Sequence, residues 1–360
     1  MNSCLNSVGA PSFPAPQAVA SAPVTYDSTD SGPQQWPSVS VVMPVLNEER
    51  HLADAVGGVM AQDYAGSFEV ILGLGPSTDH TDRIAAELSE QDPRVRTVSN
   101  PTGKTAAGLN AAIAAVDPSS LYVIRVDGHS VFPRDYLTTA VRILEETGAD
   151  NVGGVMAAVG TTPFEKAVAC SMRSSLGVGS ASFHTGGEAG PAPTVYLGAF
   201  RRAALARVGG YDERFIRSQD WEMNFRIRQT GGQVWFTPEL EVIYRPRPSV
   251  RKLAKQFFEY GRWRRIVIKQ HAGTASLRYL APPIAVVGFS LGVILGLVGW
   301  PWGWIAPATY GIAVVVGGVW IARDEPWSVR VRTPLALATM HGSWGLGFLT
   351  CLTNPLKKSA

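Results

Sequence analysis

Two short clusters in this chain hold the residue types that do chemistry. The apolar run "LYVIRV" stops at Asp127, Gly128 and His129, and "SQDWEMNFR" gathers Gln219, Asp220 and Glu222. A carboxylate and an imidazole so close together can bind a divalent cation or meet a phosphate. A second carboxylate, far away in sequence, can take a proton from a reacting hydroxyl if its pKa is mildly raised. Each cluster also has a plain structural reading. Asp127 can simply end a strand at a polar turn, and Asp220 can be an acid held by a helix dipole. Glu222 lies roughly 200° around a helix from Asp220, which suits a structural residue or salt-bridge partner.

The elements between the clusters decide whether they meet. From Ser38 onward, "SVSVVMPV" precedes "NEERHLADAVGGVMAQ", and "FEVILGLG" precedes "STDHTDRIAAELSE". "VRTVSN" precedes "GKTAAGLNAAIAAV", and "LYVIRVD" precedes "PRDYLTTAVRILEETG". Strand runs that are continuously apolar, alternating with helix-period runs, predict an α/β fold with a mostly parallel, Rossmann-like sheet flanked by helices. Ligands in such sheets bind beyond the carboxyl ends of the strands. Residues 44–49, 75–79 and 127–129 should therefore converge on one crevice. The "GKT" at 103–105 is not a P-loop, because Val98 stands where the first glycine would be. Lys104 can still approach a phosphate.

The rest of the chain bounds the setting. A net charge of +3 over 360 residues is too small for a nucleic-acid polycation, so no nucleic-acid partner is expected. Cys4, Cys170 and Cys351 have neither metal-ligand nor disulfide spacing and fit a reducing compartment. Residues 1–37 are rich in Pro, Ser, Ala and Gly without Lys or Arg, which predicts a disordered tail rather than a secretion signal. Arg251, Lys252, Lys255, Arg262, Arg264, Arg265, Lys269 and Arg278 form a basic belt, predicting an amphipathic interfacial helix over 250–278. No charged residue lies between Arg278 and Arg323. Two segments there, about 280–299 and 303–322, are each near the ~20 residues a bilayer-crossing helix needs. Trp300, Trp302 and Trp304 sit where an interfacial belt would place them. A third apolar segment at 334–353 could span, re-enter or lie in the interface. Basic residues before the first span and Arg323, Arg330 and Arg332 after the second predict that both flanks face the cytoplasm. Lys357 and Lys358 then favour a non-spanning third segment. A multi-pass protein of the cell (inner) membrane, with its 38–249 domain cytoplasmic, is the expectation.

In order along the chain, "VVMPVLNEERHL", "STDHT", "GKTAAGLNAAI", "VIRVDGHS", "TVYLGAFRRAALARVGGYDERFIRSQDWEMNFRIRQTGG" and "QFFEYGRWRR" resemble the family 2 glycosyltransferases of GT-A fold. The likeness extends over roughly residues 38–265, and is strongest to the membrane-anchored, ExoA-like members of succinoglycan biosynthesis. It implies transfer of one sugar, with inversion, from a nucleotide diphosphate sugar, a UDP-sugar first among them, to a lipid or lipid-linked saccharide acceptor. Rival readings are a polyprenyl-phosphate glycosyltransferase and a non-catalytic membrane binding or assembly protein of the same fold.

The resemblance assigns roles residue by residue. Asp127 and His129 would hold Mn²⁺ or Mg²⁺ on the diphosphate; the family usually has Asp-x-Asp here, and an imidazole favours Mn²⁺. Gly128 would let backbone approach the ligand. Asp220 would be the base. Pro44, Asn47, Glu48, Asp79, Lys104, Asp127 and Arg262 would contact the nucleotide sugar. Leu74 and Gly75 replace an acidic pair common in the family, which leaves the base it prefers open. Gln256, Arg262 and Trp263 approximate a processive-synthase motif at the wrong spacing, which favours single-sugar addition. Gln219, Trp221, Trp263 and His184, with Arg173, are acceptor-contact candidates. The glycine-rich stretch 174–200 is expected to be a loop at the acceptor entrance.

Overall fold

The computed structural model describes residues 36–351 and residue 356. The tail expected at 1–37 lies almost wholly outside them, as do Cys4, Lys357 and Lys358. Trp36 and Pro37, assigned to that tail, are ordered parts of the fold. Trp36 packs edge-on against Tyr64 at 5.6 Å, and the Tyr64 hydroxyl donates to the Pro37 carbonyl.

Strand β1 (Val39–Val45) lies between β2 (Phe68–Leu74) and β4 (Tyr122–Arg125), parallel to both, and β3 (Val95–Ser99) extends the sheet beyond β2. Alternate β1 residues serve opposite faces: Val41, Met43 and Val45 join one core cluster and Val42 the other. A strand buried on both sides needs no polar alternation, which is why "SVSVVMPV" reads as one apolar run. The connecting helices are α1 (Leu52–Met60), α2 (Thr81–Gln91), α3 (Thr105–Ala114) and α4 (Tyr136–Thr147). Helix α3 sits so close to β2 that a Cβ on Gly73 would meet the Gly108 carbonyl oxygen at 2.4 Å.

Beyond β4 the sheet reverses. Its order is β3-β2-β1-β4-β7-β5-β8-β6, with β5 (Asn151–Ala158), β6 (Gly190–Pro191), β7 (Tyr196–Arg201) and β8 (Val234–Tyr244). Strand β7 is antiparallel to β4 and β5, whereas β5 and β8 are parallel. Here the loop expected over 174–200 is corrected. That stretch contains the short helices α6 (Ser175–Val178) and α7 (Ser182–Thr185), then β6 and the central strand β7. Leu197, Ala199 and Phe200 are buried, and ladders on both sides satisfy a backbone whose glycines suggested a loop. Helix α5 (Pro163–Met172) opens on a Thr162–Glu165 capping box, and α8 (Arg202–Val208) and α9 (Gln219–Gln229) complete the layer.

The C-terminal helices are α10 (Val250–Gln270), α11 (Leu277–Leu297), α12 (Ile305–Ile321), α13 (Trp327–Arg330) and α14 (Thr333–Thr350), with a 3₁₀ turn over Pro301–Trp304. Leu277–Leu297 and Pro301–Ile321 are long and apolar enough to cross a membrane; mean hydropathies are 2.1 and 1.6, with only 11% and 17% of each window buried. The third apolar segment, α14, behaves differently. It packs along α10 so closely that a Cβ on Gly261 would meet the Trp344 carbonyl oxygen, and one on Gly347 that of Phe258, at 2.0 Å each. Helix α10 packs along α14, and its Leu253 and Phe257 join a core cluster with Met156 and Ala158 of β5. Its Leu253, Phe257, Ile266 and Val267 are buried, and so is one member of the basic belt, Arg264.

Candidate active site

The loops after β1, β2 and β4 are tied into one unit. Asn47, at φ 55°, accepts through Oδ1 from the Thr78 amide at 2.8 Å and hydroxyl at 3.2 Å. Thr81 Oγ1 accepts from the Glu48 amide at 2.8 Å and donates to Asp79 Oδ1 at 2.5 Å. That hydroxyl, above all, holds the Asp79 carboxyl below its ordinary range. Glu48 Oε1 meets His129 Nδ1 at 2.8 Å, and this bond raises the imidazole pKa against the effect of burial. A Cβ on Gly128 would come within 3.2 Å of Glu48 Cγ, so the glycine leaves room beside that pair. The turn after β4 is fixed by the Asp127 amide donating to Ser130 Oγ at 3.2 Å.

Arg125 is the residue that joins the two acidic clusters. It lies on β4 with 5% of its side chain exposed, and donates to Asp127 Oδ1 through Nε at 3.2 Å and Nη2 at 3.0 Å. Its Nη1 donates to Asp220 Oδ1 in the first turn of α9. Burial opposes its charge, but Asp127 and Asp220 outweigh burial and hold the guanidinium well above its ordinary range. The carboxyl of Asp220 is pushed up, by burial first and by Asp127, although Arg125 pulls the other way. About a quarter of its side chain still reaches solvent (26%). Oδ2 has no protein partner among the described residues, so a carboxylate of raised basicity is left with one free oxygen. Helix α9 is anchored from below. Asn224 accepts from Asn151 at 2.5 Å and donates to Thr194 at 3.0 Å, while Glu222 pairs with Arg226 at 2.7 Å.

Asn47, Glu48, Asp79, Asp127, His129 and Asp220 are brought into this linked network, with Pro44 on β1 opposite Gly73. Lys104 is exposed just before α3, and Gln219 is half-buried beside Asp220. Arg262 is partly exposed on α10, 3.8 Å from Glu259. Trp221 and Trp263 instead join a buried cluster with Phe215, Ile266 and Val267, so neither offers a ring face to a sugar or a lipid surface. Their aromatic surface is worth more inside than exposed. His184 lies in the wall of a separate cavity, and Arg173 is exposed after α5. Arg125 was missed, yet the signal was present: a lone cation within an apolar strand must find a buried anion.

Among the described residues no three His, Cys, Asp or Glu side chains are grouped to hold a metal ion. A cation shared with phosphates and water needs fewer protein ligands. Among the described residues Asp127 Oδ2 takes no partner, and His129, pinned through Nδ1 to Glu48, takes none at Nε2; a carboxylate on one ring nitrogen is the usual support for a metal on the other. The residues present thus fit a divalent cation.

Residues 40–209 match the family model described as Glycosyl transferase family 2. The chain is 33% identical to the succinoglycan biosynthesis protein ExoA of Rhizobium meliloti, covering 86% of this chain and 93% of that protein. It is 24% identical to the dolichyl N-acetyl-alpha-D-glucosaminyl phosphate 3-beta-D-2,3-diacetamido-2,3-dideoxy-beta-D-glucuronosyltransferase of Methanococcus voltae, covering 68% of this chain and 77% of that protein. Among solved structures, the mannosyltransferase PcManGT from Pyrobaculum calidifontis, in complex with GDP-Man and Mn²⁺, aligns with a TM-score of 0.52 at 19% identity. That alignment covers 86% of this chain and 89% of the other, and shows the GT-A fold.

Proposed function

The chain belongs to glycosyltransferase family 2, and from that premise we propose that it moves one sugar from a nucleotide diphosphate donor to a lipid or lipid-linked saccharide. The setting is polysaccharide or glycolipid biosynthesis at the cytoplasmic face of the cell membrane. The observation that carries this reading is Arg125, which clasps Asp127 and Asp220 on one face of the sheet's carboxyl edge. Asp127 and His129 would hold Mn²⁺ or Mg²⁺, which neutralises charge on the departing diphosphate. Asp220 Oδ2 accepts the proton of the acceptor hydroxyl as that oxygen bonds to the anomeric carbon. The bond from the anomeric carbon to the diphosphate oxygen breaks, and the nucleoside diphosphate leaves with its electron pair. One base and a single displacement give inversion. Arg125 keeps the base oriented and the two carboxylates from repelling each other.

Membrane attachment is supported by α11 and α12, whose apolar surfaces are largely uncovered by protein. The basic flanks of these helices support a cytoplasmic domain. The preferred nucleotide stays open, because Leu74 and Gly75 bring no carboxylate to the end of β2. The deciding experiment is a screen of UDP-, GDP- and other nucleotide sugars with the purified protein, Mn²⁺ or Mg²⁺ and membrane lipid extract. Cation-dependent release of nucleoside diphosphate with label entering the lipid fraction is expected. Silence across all donors, with nucleotide still bound, would favour a binding protein of this fold.

A further inference from the structure

Three arginines near the start of α11 pair with no carboxylate among the described residues. Arg264 on α10 is only 7% exposed, and its Nε and Nη1 have no hydrogen-bond partner among the described residues. Its guanidinium lies 4.0 Å from the Tyr279 ring centroid and 4.6 Å from that of Trp221. Arg278 lies 5.2 Å from the same Tyr279 ring and donates through Nε to the Val178 carbonyl at 3.1 Å. Arg228, in the last turn of α9, also has a buried Nε without a partner among the described residues. The charged neighbour of Arg264 is Arg278, and the titratable group that bears on all three is the Tyr279 hydroxyl. Burial holds the Arg264 guanidinium down to about 10. A buried guanidinium with no anion, as at Arg264, is among the costliest arrangements a fold can keep, and Arg228 and Arg278 are half-buried, so an anion that arrives with the ligand accounts for the group.

The chemistry of that ligand follows from what adjoins the arginines. A partly open cavity of about 320 Å³ is lined by the α6–α7 segment and helices α10, α11, α12 and α14. Phe257, Ala285, Met340 and Trp344 give it apolar walls, and Arg278 and Tyr279 line it too. So does His184, whose Nδ1 is buried without a partner. The cavity belongs to the candidate membrane helices, whereas Trp221 beneath Arg264 directly follows the proposed base in α9. We propose that Arg228, Arg264 and Arg278 bind the phosphate or diphosphate of the acceptor lipid, whose hydrocarbon chain occupies this cavity. The inference rests on the lipid-acceptor reading and gives that acceptor its site. Bulk anionic phospholipid carries the same phosphate-on-hydrocarbon chemistry and is the competing source.

The test is binding of farnesyl diphosphate to the full chain in phosphatidylcholine nanodiscs, read by tryptophan fluorescence, with pyrophosphate and farnesol as half-ligands. Farnesyl diphosphate should bind at least tenfold more tightly than either half. Arg264→Gln and Arg278→Gln should each weaken it by roughly tenfold or more, the loss expected for a charge-assisted bond, with Arg264→Lys recovering part of it. Ala285→Trp, which fills the cavity, should weaken farnesyl diphosphate but not pyrophosphate. Unchanged nucleotide binding certifies that each variant is folded. Full affinity in the arginine variants, or complete competition by phosphatidylglycerol in the discs, would overturn the proposal. Binding lost in the variants without any donor consumption would leave this site standing and remove the transferase reading. Donor transfer to lipid without farnesyl diphosphate binding would do the reverse.

Discussion

Asp220→Asn isolates the proposed base more cleanly than any other substitution. An amide keeps Oδ1, so Arg125 Nη1 retains an acceptor, and Arg125 keeps both its bonds to Asp127. Shape and the buried cation's partners are preserved while proton affinity is lost. Turnover should fall by about 10²–10⁴, the usual worth of acid–base catalysis, which is about 3–5 kcal/mol of barrier. Donor affinity, measured by calorimetry with the nucleoside diphosphate and Mn²⁺, should hardly move. The raised pKa of Asp220 adds a second signature. The base must be ionised to work, so wild-type kcat should fall as pH drops through a value above the ordinary 3.8, and the variant should lack that limb. Stability runs the opposite way. A carboxyl with a raised folded pKa contributes stability below its unfolded value and loses it as pH rises through the folded one. At neutral pH the amide is therefore not expected to lower the melting temperature. Unchanged turnover in Asp220→Asn would refute the assignment, and weak dependence with a prenyl phosphate acceptor would mean that the lipid phosphate is itself the nucleophile.

Arg125→Met should cost about 3–5 kcal/mol in chemical denaturation, because two carboxylates lose their buried partner. Gly261→Leu should lower stability by about 1–3 kcal/mol through overpacking, since its Cβ would meet the Trp344 carbonyl oxygen at 2.0 Å. Gly57→Ala on α1 is the control, with nothing within 4 Å of the new Cβ, and should be neutral or stabilising in the same thermal melt. Thr162→Ala removes a capping box and should cost roughly 1 kcal/mol. Glu165, held down to about 2 chiefly by the Thr161 hydroxyl, contributes stability above its unfolded value of 4.5 and loses it as pH falls towards 2; an acid titration monitored by circular dichroism should show less of that loss in Thr161→Ala, which removes that hydroxyl. Chelation with EDTA should abolish donor consumption, and added Mn²⁺ should restore it.

Strand and helix alternation was legible because strands covered on both faces need apolar residues at every position, as β1 shows. The two candidate spans were legible from length and the absence of charge alone. Asp127 could be singled out because parallel sheets present ligands at their carboxyl edge. Other features depend on partners that lie far off in the chain. Tyr196–Arg201 is a central strand because β4 and β5 flank it, although its glycines suggested a loop. Trp221 and Trp263 look like ligand contacts until they are seen packed with Phe215. Apolar segment 334–353 acquires its role only when Gly261 and Gly347 let α10 and α14 touch. The two acids were visible in the sequence, but that one buried arginine clasps both was decided by the fold, because Coulomb attraction and desolvation depend on distances in space and not on separation along the chain.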